Sequence, residues 1–404
     1  MTVRKSFSVY ENMRNPHFLK RFYKFKTIDM IKTNEICGSS PPDIFVGRIG
    51  YPDVYIGPLV PPTIGDTEIM GTPERWVGKS IPEIVELRST LVRGMHRSKV
   101  TNPDKGRVEE MIKEIALADR FTNIELTLKH RPSLKMSFNE NSQPFGPSAP
   151  LEKMSVGNMK ADQKVESAYL DTDLPAGDAM VELYEKGVLV SKIQKALAAG
   201  LLGRERNRRF VPTRWSITAA DDTLSKDKLK RIKEMGTLDS IKVYENVALD
   251  NRWVIMMIPG RWEYESMEAW YPNTTWNMNS TEIDMGASYE PFEGRNTYAE
   301  IGGCYYAARL AVSELLEKKQ AQAKAIILRE VHSGYIMPVG VWNVRDHVRE
   351  ALRKPPLSFT GMDEAFRHVS SRLEIPLKTW ISNSTMLRKM LYQRTLGQAL
   401  QFPT

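Results

Sequence analysis

Hydrophobic positions along this chain recur at different periods, and each change of period predicts an element. In KSIPEIVELRSTLVRG, Ser80 and Glu83 have the spacing of a capping box and Pro82 sits in the first turn. Ile84, Leu87 and Leu91 then recur at helical spacing, which predicts a helix to about Arg93. A second helix is expected over 107–119, followed by the strand NIELTLKHR with Ile124, Leu126 and Leu128 on one face. Upstream, residues 36–66 set Gly and Pro between short β-branched and aromatic pieces, a pattern of close-set turns and strands.

Further along, FGPSAP reads as a stiff irregular loop, and QKVESAYLDTDL as a strand that ends in Asp171 and Asp173, which at two-residue spacing share a face. Residues 178–203 give a helix-turn-helix outline about Gly187. FVPTRWSITAADDTLSKDKLKRIKEM predicts a Pro-bounded strand, an acidic turn at Asp221 and Asp222, and a charged helix that one of the two caps. The near-continuous apolar run Trp253 to Ile258 fits a buried strand closed by Pro259 and Gly260. Residues 302–320 form a helix with a stripe of Cys304, Ala308, Ala311 and Leu315; AIILREV and GYIMPVGVW follow as strands, and NVRDHVREALR as a helix.

Strands alternating with helices argue for an α/β or α+β fold, a mixed sheet with packed helices, a β-rich N-terminal lobe and a flexible C-terminal tail. The expected divisions are a basic segment 1–35, the β-rich lobe 36–150, the main lobe 151–355, and a helical region 356–404 that ends in the tail.

Composition narrows the class without naming it. At 41% hydrophobic and 26% charged residues the chain is globular, and no stretch approaches the roughly 20 apolar residues that span a bilayer. MTVRKSFSVY lacks the apolar run of a signal peptide, so a cytoplasmic protein with no membrane association is expected. Cys37 and Cys304 cannot supply a disulfide framework or a four-thiolate zinc site. The net charge of +8 gains meaning from its placement: Arg4 to Lys32, Arg204 to Arg209, and Arg345 to the end.

Several chemistries are disfavoured outright. None of the six histidines has an i, i+4 partner or a cysteine at zinc-ligand spacing, and the chain has neither a P-loop nor a G-x-S-x-G elbow. Carboxylates and guanidinium groups remain. If Asp171, Asp173, Asp221 and Asp222 converged with Arg214, Arg261 and Arg309, two aspartates would hold Mg²⁺ while arginines gripped phosphate, the minimum for a metal-dependent enzyme acting on damaged DNA or a nucleotide. Structural ion pairs explain the same residues without catalysis. Arg88, Arg93, Arg204, Arg206, Arg208 and Arg209 are candidate phosphate contacts, and Arg261 beside Trp262, Trp270 and Trp276 suggests stacking on unpaired bases. At the C-terminus, Gln393 and Leu396 have the spacing of a clamp-binding peptide; its aromatic pair would fall on Ala399 and Leu400, with Phe402 displaced.

The segments SSPPDIFVGRIGYPDVYIGP, LRSTLVRG, FGPSAPLEKMSVGN, AYLDTDLPAGDAMVELYEKGVLVSKIQKALAAGLLG, RNRRFVPTRWSITAADDT, IPGRWEYE, YAEIGGCYYAARLAV and GYIMPVGVWNVR resemble the Nre family of archaeal DNA-repair proteins from about residue 36 to 350. The resemblance implies a role in the DNA-damage response, with DNA as partner, and interaction with the sliding clamp PCNA through a C-terminal PIP motif, here Gln393, Leu396, Leu400 and Phe402. Many relatives carry a four-cysteine cluster ahead of the SPP segment; this chain keeps only Cys37 there, so no zinc is expected in that lobe.

Overall fold

The computed structural model describes residues 3–4, 31, 33–132, 142–274, 276–277 and 281–392. Within them lie 12 α-helices and two mixed sheets, an α+β fold. The chain divides into two compact units, one of residues 15–227 and 337–346, the other of 1–14, 228–336 and 347–404. Each unit is completed by segments far apart in sequence.

The first unit is built on a six-stranded sheet. Its strands run in the order Glu35–Ser40, Thr122–Leu128, Ser148–Val156, Val92–Lys99, Asp53–Val60, Ile44–Val46, antiparallel except for the pairing of Val92–Lys99 with Ser148–Val156. Thr122–Leu128 has the alternation its sequence predicts, with Ile124, Leu126 and Leu128 buried. The Ser80 capping box is present with both bonds made, and its helix spans Ile81–Ser89. It stops short of the expected Arg93 because Val92–Lys99 pairs with Asp53–Val60, and the sheet takes the apolar residues that looked like a continuing helix.

Three more expectations in this unit are corrected. Residues 163–170 form a helix and not a strand: Asp162 accepts at Oδ1 from the N–H groups of Lys164 (3.0 Å) and Val165 (3.2 Å), and Val165 and Ala168 bury one face. FGPSAP is not wholly irregular, since Ser148 already opens a strand paired with Arg93. The acidic turn at Asp221 does not exist, because Thr213–Ile232 is one helix. Ile217, Ala220, Asp221 and Leu224 are among its buried positions at helical spacing, and the Asp221 carboxylate is tolerated inside because Arg345 Nη1 meets it at 2.8 and 3.1 Å.

The second unit carries a seven-stranded sheet in the order Val3–Arg4, Ile283–Glu290, Glu263–Trp270, Lys324–Val331, Asn251–Ile258, Ile241–Ala248, Leu357–Phe359. Asn251–Ile258 is the buried strand expected from its apolar run, and Met256, Met267, Ile326 and Leu328 pack with Val369, Trp380 and Leu387. Glu263–Trp270 escaped prediction because, though buried on both faces, it carries carboxylates at Glu265 and Glu268, each met by a partner inside. Glu268 pairs with Arg329 at 2.6 Å, and Glu265, its pKa raised by burial, accepts the N–H groups of Thr385 (2.8 Å) and Met386 (2.9 Å) at the start of helix Thr385–Tyr392. GYIMPVGVW is not a strand; its path includes Gly340 at φ +99°, a left-handed position that interrupts extended structure.

Candidate nucleic-acid interface

The turn between strands Ile44–Val46 and Asp53–Val60 holds apolar groups in water. Ile49 is 87% exposed and Tyr51 46%, and Gly50 supplies the positive φ of +84° that the turn needs. Along Asp53–Val60, Val54 and Ile56 point into the core, so Tyr55 between them points out, where it is opposite the exposed Arg97 in register. Lys99, also exposed, lies two residues on and opposite Asp53.

Three contacts bring a distant segment beside this turn. The Val46 N–H donates to Thr213 Oγ1 at 2.9 Å, the Phe210 N–H to the Val100 carbonyl at 2.9 Å, and the Tyr51 ring lies 5.1 Å from that of Trp215 at 53°. Trp215, in the first turn of its helix, is 45% exposed, as is Tyr55. The exposed Arg204, Arg206 and Arg209 occupy the segment that leads to Phe210, and Arg214 is half-buried next to Trp215. Rings open to solvent thus lie close to basic residues: Arg97 is opposite Tyr55, and Lys99 and Arg209 flank the Val100–Phe210 hydrogen bond in sequence.

Beneath that face lies Arg93. Its guanidinium stacks 4.6 Å over the Phe45 ring and donates from Nη2 to the Tyr55 carbonyl, while its Nε is buried with no hydrogen-bond acceptor. It meets no carboxylate among the described residues, and burial pulls its pKa down to about 9. A buried guanidinium with no counter-charge is costly, and an anion at the surface above it would lower that cost.

The other residues singled out in the sequence divide among separate settings. Asp171 and Asp173 do meet Arg204 and Arg208, but through the main chain: Arg208 Nη2 donates to the Asp171 carbonyl at 2.8 Å and Arg204 Nε to the Asp173 carbonyl at 3.3 Å. The Asp171 carboxylate closes its own turn on the N–H groups of Asp173 (3.2 Å) and Leu174 (3.0 Å). Asp221 is buried against Arg345, and Asp222 pairs with Lys226 at 2.8 Å on the same helix. Among the described residues no group of three or more His, Cys, Asp or Glu side chains could hold a metal ion, and Asp171, Asp221 and Asp222 each have the separate partners named above.

Arg88 is a core residue, with Asp43 at 2.6 Å and the Pro144 and Met70 carbonyls at 2.7 Å each. In the other unit, Arg309 and Trp262 are buried around one carboxylate: Glu290 takes Arg309 Nη1, the Trp262 indole N–H at 3.1 Å and the Tyr305 hydroxyl at 2.7 Å. Trp253 and Trp270 are core rings as well, so Trp262 and Trp270 offer no open face to a base; Trp276 is half-buried and stacks on Trp270 at 4.9 Å, and Arg261 lies 3.8 Å over Phe292. The second helix of the helix-turn-helix outline, Val190–Ala198, buries seven of its nine residues and has no surface to lay in a groove. Gln393, Leu396, Leu400 and Phe402 lie outside the described residues.

Sequence reasoning passed over Tyr51, Tyr55, Trp215, Arg97 and Lys99. The signal was present: an isoleucine in the Gly-flanked turn GRIGYPD, and a tyrosine on the outward phase of DVYIGPLV.

Residues 13–277 match the family described as Archaeal Nre, N-terminal, and 290–398 that described as Archaeal Nre, C-terminal. A protein of Archaeoglobus fulgidus named DNA repair protein NreB is 41% identical over 365 residues, 90% of this chain and 92% of that protein. DNA repair protein NreA of Haloferax volcanii is 33% identical over 395 residues, 95% of this chain and 92% of its own, and NreA of Archaeoglobus fulgidus is 34% identical over 355 residues, 87% and 89%.

Proposed function

Since the chain belongs to the archaeal Nre family, whose relatives carry the name of DNA repair proteins, we propose that it acts in DNA repair by holding unpaired DNA on the face formed by Tyr51, Tyr55 and Trp215. The observation that carries this reading is a set of solvent-open aromatic rings beside Arg97, Lys99 and Arg209, with the uncompensated Arg93 below them. Stacking is indifferent to base identity and needs an exposed π-face; cations alongside it track the phosphates. Duplex DNA keeps its bases stacked on one another, which favours single-stranded or distorted sites.

The tail from Gln393 recruits the protein to PCNA. Support comes from the Gln393 and Leu396 spacing and from the helix that leads into it, Thr385–Tyr392, which Glu265 pins at its start and which ends on Tyr392, 74% exposed.

Fluorescence anisotropy with a labelled thymidine oligonucleotide tests the DNA half. Affinity should fall steeply with salt, and each of Arg97→Gln, Lys99→Gln and Arg209→Gln should reduce the slope of log K against log salt by about 0.7. A flat salt response, or slopes unchanged in all three variants, would discard the face. Deletion of 393–404 should abolish co-elution with PCNA and leave oligonucleotide affinity as it was; a complex that survives the deletion would show that the anchor lies elsewhere.

A further inference from the structure

A cavity of about 400 Å³ lies in the unit of residues 15–227 and 337–346, walled by Arg75, Lys160, Lys164, Lys192 and Lys195. Five basic side chains there face three carboxylates, Glu68, Asp119 and Asp162, and the carboxylates in and around it are largely committed. Asp162 caps the helix that starts at Gln163, and Glu68 pairs with Arg75 at 3.5 Å. Behind the wall, Glu74 accepts both the N–H (2.9 Å) and the hydroxyl (2.8 Å) of Ser191, and Asp43 is shared between Arg88 at 2.6 Å and Lys195 at 3.6 Å.

Besides the longer Lys195–Asp43 contact, the lysines are met by carbonyl oxygens. Lys195 Nζ donates to the Gly71 carbonyl at 2.7 Å, Lys164 Nζ to that of Lys186 at 2.5 Å, and Lys192 Nζ to that of Ala118. Lys192 has no ion pair among the described residues, and burial together with the neighbouring Lys195 charge pulls its pKa down to about 8. Carbonyl dipoles orient an ammonium group without cancelling its charge, so the walls hold a net positive field in a space closed on several sides. Pro42 and Leu189 add an apolar wall.

We propose that this cavity binds a phosphomonoester, the terminal dianionic phosphate of a free nucleotide or of a DNA strand end, with Lys192 and Lys195 on the phosphate. Converging lysines are point-charge partners for a dianion, better matched to phosphate than to a single carboxylate. The volume falls low in the roughly 300–1,000 Å³ range of pockets that hold small ligands, room for one nucleotide and too little for a duplex. The site is separate from the aromatic face and stands without it.

Calorimetry on the full-length protein with dAMP and with inorganic phosphate tests the site, alongside anisotropy comparing a short thymidine oligonucleotide bearing a 5′-phosphate with the same strand bearing a 5′-hydroxyl. Saturable dAMP binding that weakens tenfold or more in Lys192→Met assigns the cavity to a free nucleotide. Discrimination confined to the 5′-phosphorylated strand, lost in the same variant, assigns it to a strand end. Lys164→Gln, at an exposed position, gives the same readout with little risk to folding, and Trp215→Ala should leave dAMP affinity unchanged even if it removes oligonucleotide binding. The proposal is overturned if neither dAMP nor phosphate binds and the 5′-phosphate brings no gain, or if Lys192→Met and Lys164→Gln, both shown folded by thermal melting, bind as the wild type does.

Discussion

Replacing Trp215 by alanine isolates the stacking contribution. The ring is 45% exposed and lies 5.1 Å from Tyr51 at 53°, a tilted contact that leaves part of its π-surface open to a base. Stacking one base on an aromatic ring contributes about 1–3 kcal/mol, which corresponds to a loss of about 5- to 160-fold in affinity for a thymidine oligonucleotide. The cost to the fold is a separate quantity: the aromatic pair contributes about 0.5–1.5 kcal/mol beyond the apolar area that the half-buried ring removes from water. Anisotropy titration at fixed low salt reads the first quantity and urea unfolding the second. Trp215→Phe should recover most of the affinity, since a π-face is restored, and the salt slope should not change in either variant because no cation has been removed. Oligonucleotide binding by Trp215→Ala within twofold of the wild type, with the protein folded, would refute the stacking argument.

Other expectations concern residues that the sequence marked and the fold uses differently. Arg309→Met leaves Glu290 buried without its guanidinium and should destabilise the protein by about 3–5 kcal/mol in urea unfolding, with oligonucleotide affinity of the folded fraction unaltered. Ser80→Ala removes the hydroxyl from a complete capping box and should cost about 0.5–2 kcal/mol in the same assay. Lys192 ordinarily titrates at 10.5 and here at about 8, so between those values the unfolded chain binds more protons and the fold gains stability as pH rises. The gain is at most about 3 kcal/mol; it should be missing from Lys192→Met, and an identical pH dependence in both proteins would count against a buried ammonium group beside Lys195 that Asp162 and Asp119 offset only in part.

Features that depend on near neighbours were legible before any folding was considered. The Ser80 box, the in-out alternation of Thr122–Leu128 and the apolar run of Asn251–Ile258 are written in residues a few positions apart, and the structure keeps all three. Segments whose polar residues find partners far along the chain could not be read this way. Asp221 suggested a turn until Arg345, 124 residues away, supplied the charge that lets it sit inside a helix. Glu265 and Glu268 disguised a core strand until Thr385 and Arg329 met them. The same limit governs the sites. An arginine in sequence carries no record of whether a carboxylate will close on it. Only folding set Arg88 and Arg309 into ion pairs, left Arg93 and Lys192 without any among the described residues, and laid Tyr51 against Trp215, because a charge is silenced or exposed by groups that only the tertiary structure brings within reach.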